Sequence, residues 1–200
     1  YGLIAKTIET NEERSRVVFH LDPRARFSDG SPLTSADIRF SFELLGKKGR
    51  PQHRAAFQLV KAIATPDEHT VEFDLGGAND RELPLILALM PVLSSRHTNA
   101  ETFDTSSLAI PVASGPYVIK QMQPGQLMVL ERNKSYWGND LPISRGLYNF
   151  DEIRFDYFRD ATTFYEALKA GIVDYREETD PTKWLSGYDF PAISDGRYRK

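Results

Sequence analysis

A mixed α/β fold, with helices and strands interleaved in an α+β manner, is predicted by three observations in this 200-residue sequence. Val17, Phe19 and Leu21 are separated by single residues, as are Val71, Phe73 and Leu75, which is the two-residue period of a strand. Between these runs Ile38, Phe42 and Leu45 recur at spacings of four and three, the stripe of an amphipathic helix. Twelve Phe and nine Tyr add enough apolar bulk for a sizeable core, so the composition is that of a globular chain.

Local signals delimit the elements in turn. The first strand runs into Asp22-Pro23 and then Ser28-Asp29-Gly30, both turn sequences. Thr34 followed by Asp37 is a capping-box pattern, which predicts a helix beginning near Ser35; Gly46 and Gly49 offer places for it to end. The strand at 71–75 closes at Gly76-Gly77. Asp80 is expected to cap a short helix over 81–89, with Pro84 tolerated in the first turn. The polar stretch Ser94 to Pro111 reads as a connection. A second region starts near Ser106. Tyr117, Ile119 and Met122, then Leu127 to Leu130, flank Pro124-Gly125 as a hairpin. Ile153, Phe155 and Tyr157 alternate as a strand. Asp160 caps a helix from Ala161 to Ala170 that buries Phe164 and Leu168 and stops at Gly171. Ile172 to Tyr175 reads as a further strand, which makes a βαβ crossover with two parallel strands.

Composition narrows the function classes. A net charge of −3 and an isoelectric point near 5.9, with no basic arm, argue against nucleic acid and anionic membrane as partners. The absence of cysteine removes disulfides, thiolate metal sites and a cysteine nucleophile. No apolar run approaches the ~20 residues that span a bilayer. The longest, Leu83 to Leu93, is broken by Pro84 and Pro91, so no direct membrane insertion is expected. A chain opening at Tyr1-Gly2 without a start Met is expected to be an internal piece of a longer protein.

Catalytic and cofactor signatures are missing: there is no phosphate-binding glycine loop, nucleophile elbow, zinc-protease helix or dinucleotide fingerprint. His20, His53, His69 and His97 are scattered, and none has a metal-ligand partner at helical spacing, so neither cofactor nor metal is predicted. Glu177-Glu178 is the tight acid pair after an expected strand end. Adjacent residues on an extended chain face opposite sides, which is poor geometry for a carboxylate dyad. A solvated loop and a contact to a ligand amine both remain open for it. Trp137 and Trp184 suit a core or a lid.

Three segments carry a family resemblance. Val17-Val18-Phe19-His20-Leu21 continues through Arg26-Phe27-Ser28-Asp29-Gly30-Ser31-Pro32-Leu33-Thr34-Ser35-Ala36-Asp37. Ser114-Gly115-Pro116-Tyr117 is followed by Glu131-Arg132-Asn133-Lys134-Ser135-Tyr136-Trp137, and Ala167-Leu168-Lys169-Ala170-Gly171-Ile172-Val173-Asp174 comes last. In order and spacing the chain resembles the family 5 extracellular solute-binding proteins of ABC importers. Gly49-Arg50-Pro51, Arg81-Glu82-Leu83-Pro84-Leu85 and Leu141-Pro142-Ile143-Ser144-Arg145-Gly146 are similar to the YejA-like branch.

The resemblance implies a type II periplasmic binding protein fold, two α/β lobes closing on a ligand, here incomplete with most of the second lobe absent. It places a decorating subdomain of the first lobe at 1–105, the core of that lobe at 106–178 and the start of the second lobe at 179–200. It also implies a periplasmic protein that captures oligopeptides and passes them to a membrane permease, without bond-making chemistry. Arg176, Glu177, Glu178 and Thr179 are the expected ligand contacts, because open α/β sheets bind ligands beyond the carboxyl ends of their strands and relatives bind there too. Arg54 and Phe57 are further candidates in the decorating subdomain. The alternatives are another solute (a nickel complex, a sugar or an opine), a hydrolase acting through Glu177 or Glu178, and an interaction module.

Overall fold

The computed structural model describes residues 2–77, 80–105 and 107–200. Four strands, β1 (Ala5–Thr10), β2 (Arg16–Leu21), β3 (Ala62–Asp67) and β4 (Thr70–Asp74), form an antiparallel sheet in the order β1-β2-β4-β3. The two strands with apolar alternation are the two central ones. Phe19 lies opposite Val71 and Val17 opposite Phe73, and all four side chains are buried. The edge strands explain why they lack that signature. β1 is mostly exposed, and β3 contains Pro66, which cannot donate to a ladder, beside a register shift between Ala64 and Asp67.

Helix α1 (Ser35–Lys48) starts where the capping pattern predicts and presents Phe42 and Leu45 to the interior. Phe42 meets Phe73 edge-on at 5.2 Å, and Phe73 meets Phe19 at 5.8 Å, so helix and sheet share one aromatic core. Gly49, whose amide donates to Leu45 O at 2.9 Å, ends the helix; Gly46 does not. A side chain at Gly46 would overlap the ring of Phe57 on α2 (Pro51–Gln58), so this glycine lets the second helix seat closely. Leu83 and Leu87 of α3 (Leu83–Ala88) complete the cluster. Asp80 accepts from the Glu82 and Leu83 amides at 2.8 and 3.1 Å at the start of that helix.

The entry to α1 is held by buried polar contacts. Asp37 is almost fully buried, and its carboxylate has four donors. One oxygen accepts from the Thr34 amide (3.0 Å) and hydroxyl (3.1 Å); the other accepts from the Ser95 amide (3.0 Å) and hydroxyl (2.7 Å). Ser35 Oγ donates to Asp67 O at 2.6 Å, and Ser41 Oγ accepts from the Leu93 amide at 2.7 Å. The first two turns of the helix are thus tied to the β3–β4 turn and to the 93–95 loop. Each amide satisfied in this way would otherwise be costly to bury.

Beyond residue 107, β5 (Tyr117–Gln123), β6 (Leu127–Arg132) and β7 (Glu152–Asp156) form a three-stranded sheet in that order. The predicted hairpin joins the first two, with Gly125 at φ +71° in its turn. Lys120 pairs with Glu152, and Arg132 pairs with Asp151 at 2.5 Å. Trp137 is half-buried against the first core and donates to Ser114 O at 3.2 Å. Ser106, where the sequence reading begins its second region, lies outside the described residues.

The chain divides into two compact units, residues 1–122 with 128–154, and residues 123–127 with 155–200. The second contains α4 (Ala161–Lys169), α5 (Pro181–Ser186) and α6 (Pro191–Ser194). Asp160 caps α4 by accepting from the Thr163 amide at 2.8 Å, and Gly171 at φ +73° follows its last turn. A small core of Leu168, Phe190 and Ala192 is surrounded by Tyr165, Val173, Tyr188, Ile193 and Tyr198.

One expected element is not formed. Residues Ile172 to Tyr175 are not a strand, so the βαβ crossover and its parallel pairing are absent among the described residues. The physical reason is the missing ladder. The Ile172 amide closes the helix end on Ala167 O at 2.9 Å, and Val173 O accepts the Tyr198 hydroxyl at 2.6 Å, so neither is spent on a neighbouring strand. Among the described residues no helix is long and apolar enough to cross a membrane.

The α1 entry generates a graded expectation for chemical denaturation. Thr34→Ala should lower stability by about 1 kcal/mol, the usual cost of a lost cap. Asp37→Ala should cost about 3 kcal/mol, since it orphans buried donors on two segments at once. Equal effects of the two substitutions would show that the Ser95 contacts contribute nothing.

Candidate functional site

The segment after α4 carries most of the predicted contacts, and its side chains alternate. Tyr175 is 77% exposed, and Glu177 and Thr179 are also exposed. The side chains of Arg176 and Glu178 retain only 5% and 3% of their accessible surface. Residues 175–179 form neither helix nor strand, yet exposed odd positions alternate with withdrawn even ones, as they would along an extended chain. This separates Glu177 from Glu178, the geometry expected of adjacent residues.

Turned inward, Arg176 and Glu178 form a direct ion pair through Nη1 and Oε2. The same Nη1 donates to the Tyr188 hydroxyl at 2.6 Å, and that hydroxyl donates to Glu178 Oε2 at 3.0 Å, which closes a three-membered ring of contacts. Glu178 Oε1 accepts from the Asp180 amide at 2.9 Å. The guanidinium lies 5.3 Å from the Phe164 ring centre and 5.7 Å from that of Tyr165, between two aromatic residues of α4. Its Nε is buried without a hydrogen-bond partner among the described residues.

The Asp180 amide and the Arg176 guanidinium hold the Glu178 carboxyl well below its ordinary 4.5, at about 2. Burial, followed by the hydrogen bond to Glu178, raises the Tyr188 hydroxyl. Next to the clamp, Asp180 accepts from the Thr182 and Lys183 amides at 2.9 and 3.3 Å and starts α5. Glu178, Thr179, Asp180, Pro181 and Trp184 line an open hollow of about 380 Å³. The Trp184 ring packs on Tyr188 at 5.9 Å.

The candidates of the first unit differ in character. Phe57 is engaged in packing, with its ring 5.0 Å from that of Phe42 and pressed over Gly46. Arg54 is exposed on α2 and forms no ion pair among the described residues. Tyr188, the third member of the clamp, escaped the sequence reading. A tyrosine twelve positions from Arg176 has no local signal, and only the fold of 180–190 brings its hydroxyl back.

Comparison with known proteins places this geometry in a family. The sequence matches the bacterial extracellular solute-binding proteins, family 5, over residues 1–200. The chain belongs to the family 5 solute-binding proteins. A protein of Brucella melitensis biotype 1 is 42% identical across 100% of this chain and 33% of its own length. Two proteins of Agrobacterium fabrum are also similar. "Peptidoglycan-binding protein YepA" is 40% identical over 98% of this chain and 33% of its own, and "Probable peptide-binding protein YejA" is 32% identical over 100% and 34%. The YejA-like resemblance therefore holds. The chain spans about a third of the length of these relatives.

Among solved structures, AgaA in complex with agropinic acid superposes with a TM-score of 0.66 at 28% identity, over 86% of this chain and 33% of that one. An oligopeptide ABC transporter substrate-binding domain from Bacillus anthracis reaches 0.75 at 19% identity, over 94% and 39%. The mixed α/β family fold is thus present in part. Family 5 consists of solute-binding proteins rather than enzymes.

The clamp makes the second unit sensitive to acid. Because Glu178 is more acidic in the folded chain than its ordinary 4.5, the unfolded state takes up more protons as pH falls. The contribution is fully present above pH 4.5 and is lost toward pH 2. Trp184 emission followed through an acid titration should report loosening in that window, and Glu178→Gln should reduce it, Asp160 and Asp195 contributing the rest. A titration identical in the variant would mean that the carboxylate does not hold the segment.

Proposed function

We propose that the full-length protein is the solute-binding component of an ABC importer that captures oligopeptides in the periplasm and delivers them to its membrane permease. The observation that carries the peptide reading is the state of the 175–179 backbone. Its amides and carbonyls have no backbone hydrogen-bond partner among the described residues, while its side chains alternate between clamp and solvent. An extended segment with open peptide groups can pair with another extended backbone, which is how strand-like peptide recognition works. Under this reading Arg176, Glu177, Glu178 and Thr179 line or support the cleft at the lobe junction, and Arg54 and Phe57 serve the decorating subdomain. The proposed divisions are 1–105, 106–178 and 179–200.

A second reading is favoured by identity. YepA, named for peptidoglycan, is closer in sequence to this chain than YejA of the same organism. A cell-wall peptide would use the same backbone pairing and add a sugar. The opine seen in AgaA is a third chemistry, reached on lower identity. Against a hydrolase acting through Glu178 stands its carboxyl, which the Asp180 amide and Arg176 hold at about 2, a weak general base at neutral pH.

Mass spectrometry of the solutes that copurify with the full-length protein tests the reading. Oligopeptides support it, muropeptides favour the second reading, and opines or metal complexes alone overturn both. Calorimetry with a defined tripeptide mixture should show weak or no binding to the 200-residue chain and clear binding to the full-length protein, because one wall buries too little of a ligand.

A further inference from the structure

From the alternation at 175–179 we infer that Tyr175 and Glu177 form a subsite for a basic side chain of the bound peptide, and that Arg176, Glu178 and Tyr188 are positioning residues that aim it. The inference rests on the peptide reading above.

Charge is the first argument. Of the three charged residues at 176–178, two neutralise each other: Arg176 meets Glu178 and Tyr188, and both charged side chains are withdrawn from solvent. Glu177 forms no ion pair among the described residues and is exposed. The segment therefore presents one uncompensated negative charge outward. A ligand carboxylate would meet that charge and not the guanidinium, because Arg176 is paired with Glu178 and Tyr188 and its side chain retains only 5% of its accessible surface. On this reading Arg176 supports the subsite rather than touching the ligand.

Spacing is the second argument. Residues two apart on an extended chain lie on one side about 6.6 Å apart. Tyr175 and Glu177 are two positions apart and both exposed, on either side of the inward Arg176, and the tyrosine ring forms no aromatic contact among the described residues. A ring and a carboxylate at this separation suit a long aliphatic stem ending in a cation. The stem of lysine or arginine lies along the ring and its head reaches the acid. A shorter cation would meet one partner only.

The clamp supplies the aim. Arg176 and Glu178 are fastened to Tyr188, to the rings of α4 and to the Asp180 amide, so the residues between and beside them are held outward. Without the clamp Glu177 would share its surroundings with a freed guanidinium two atoms of chain away. The apparent charge of the subsite would then fall.

Calorimetry on the full-length protein with Ala-Lys-Ala-Ala and its norleucine analogue tests this, since the two differ only in the ammonium group. The lysine peptide should bind about fivefold tighter at low salt, a preference that shrinks as salt rises. Glu177→Gln, at an exposed position, should bring the ratio to one, and Glu177→Lys should invert it. Glu178→Gln should also draw the ratio toward one although it leaves Glu177 in place; a purely structural loss would weaken both peptides alike. A preference that survives Glu177→Gln, or an equal affinity for both peptides in the unaltered protein, overturns the subsite while leaving peptide binding intact. Binding of neither peptide by the unaltered protein overturns the peptide reading and the subsite with it.

Discussion

The first unit depends on a carboxylate that water does not reach. Asp37 sits one turn into α1, and taking an ionised carboxylate out of water is tolerable only when its lone pairs are filled. Four donors fill them, two from Thr34 at the helix entry and two from Ser95 on a loop fifty-eight residues away. The carboxylate thereby sets where the helix starts and which loop lies beside it. Ser35 and Ser41 extend the same attachment to the β3–β4 turn and to Leu93. With its first two turns held in this way, α1 brings Phe42 over Phe73, and the aromatic core follows from that register.

The second unit solves a similar problem with less apolar material. Only Leu168, Phe190 and Ala192 form its buried apolar cluster among the described residues, and aromatic rings fill much of the remainder. A buried ion pair is a poor source of net stability, because desolvation offsets the attraction. It is a strong source of specificity in geometry, since the charges tolerate few arrangements. Arg176, Glu178 and Tyr188 fasten by direct contacts a segment that has no ladder among the described residues. The aromatic neighbours of Arg176 contribute by covering a guanidinium that water would otherwise solvate.

These two anchors bear differently on function. The Asp37 network builds the helix-and-sheet unit and touches none of the candidate contacts. The Arg176 clamp lies within the candidate segment itself and sorts its residues into those that hold and those that face outward. Membership in family 5 directs attention to solute capture, and the proposed contacts of 175–179 rest on how that segment is sorted. Fold resemblance alone does not choose among peptide, opine and cell-wall fragment, because relatives named for each share this architecture.

The sequence by itself determined the elements whose cause is local. The central strands at 16–21 and 70–74, the Thr34–Asp37 entry to α1, the Asp160 cap, the 124–125 hairpin and the opposite facing of Glu177 and Glu178 all follow from residues within a few positions of one another. The family was legible for the same reason, as runs of adjacent residues. Tertiary structure decided whatever depends on a distant partner. The edge strand β1 has no apolar alternation and exists because β2 offers it hydrogen bonds. Ile172 to Tyr175 has strand composition but joins no ladder among the described residues, so it stays irregular. Phe57 became a packing residue because Gly46, eleven positions earlier, leaves room for its ring. Arg176 looked like a free cation until the chain returned Tyr188 to it. A charge's availability is set by what surrounds it in space, and a linear pattern does not contain that.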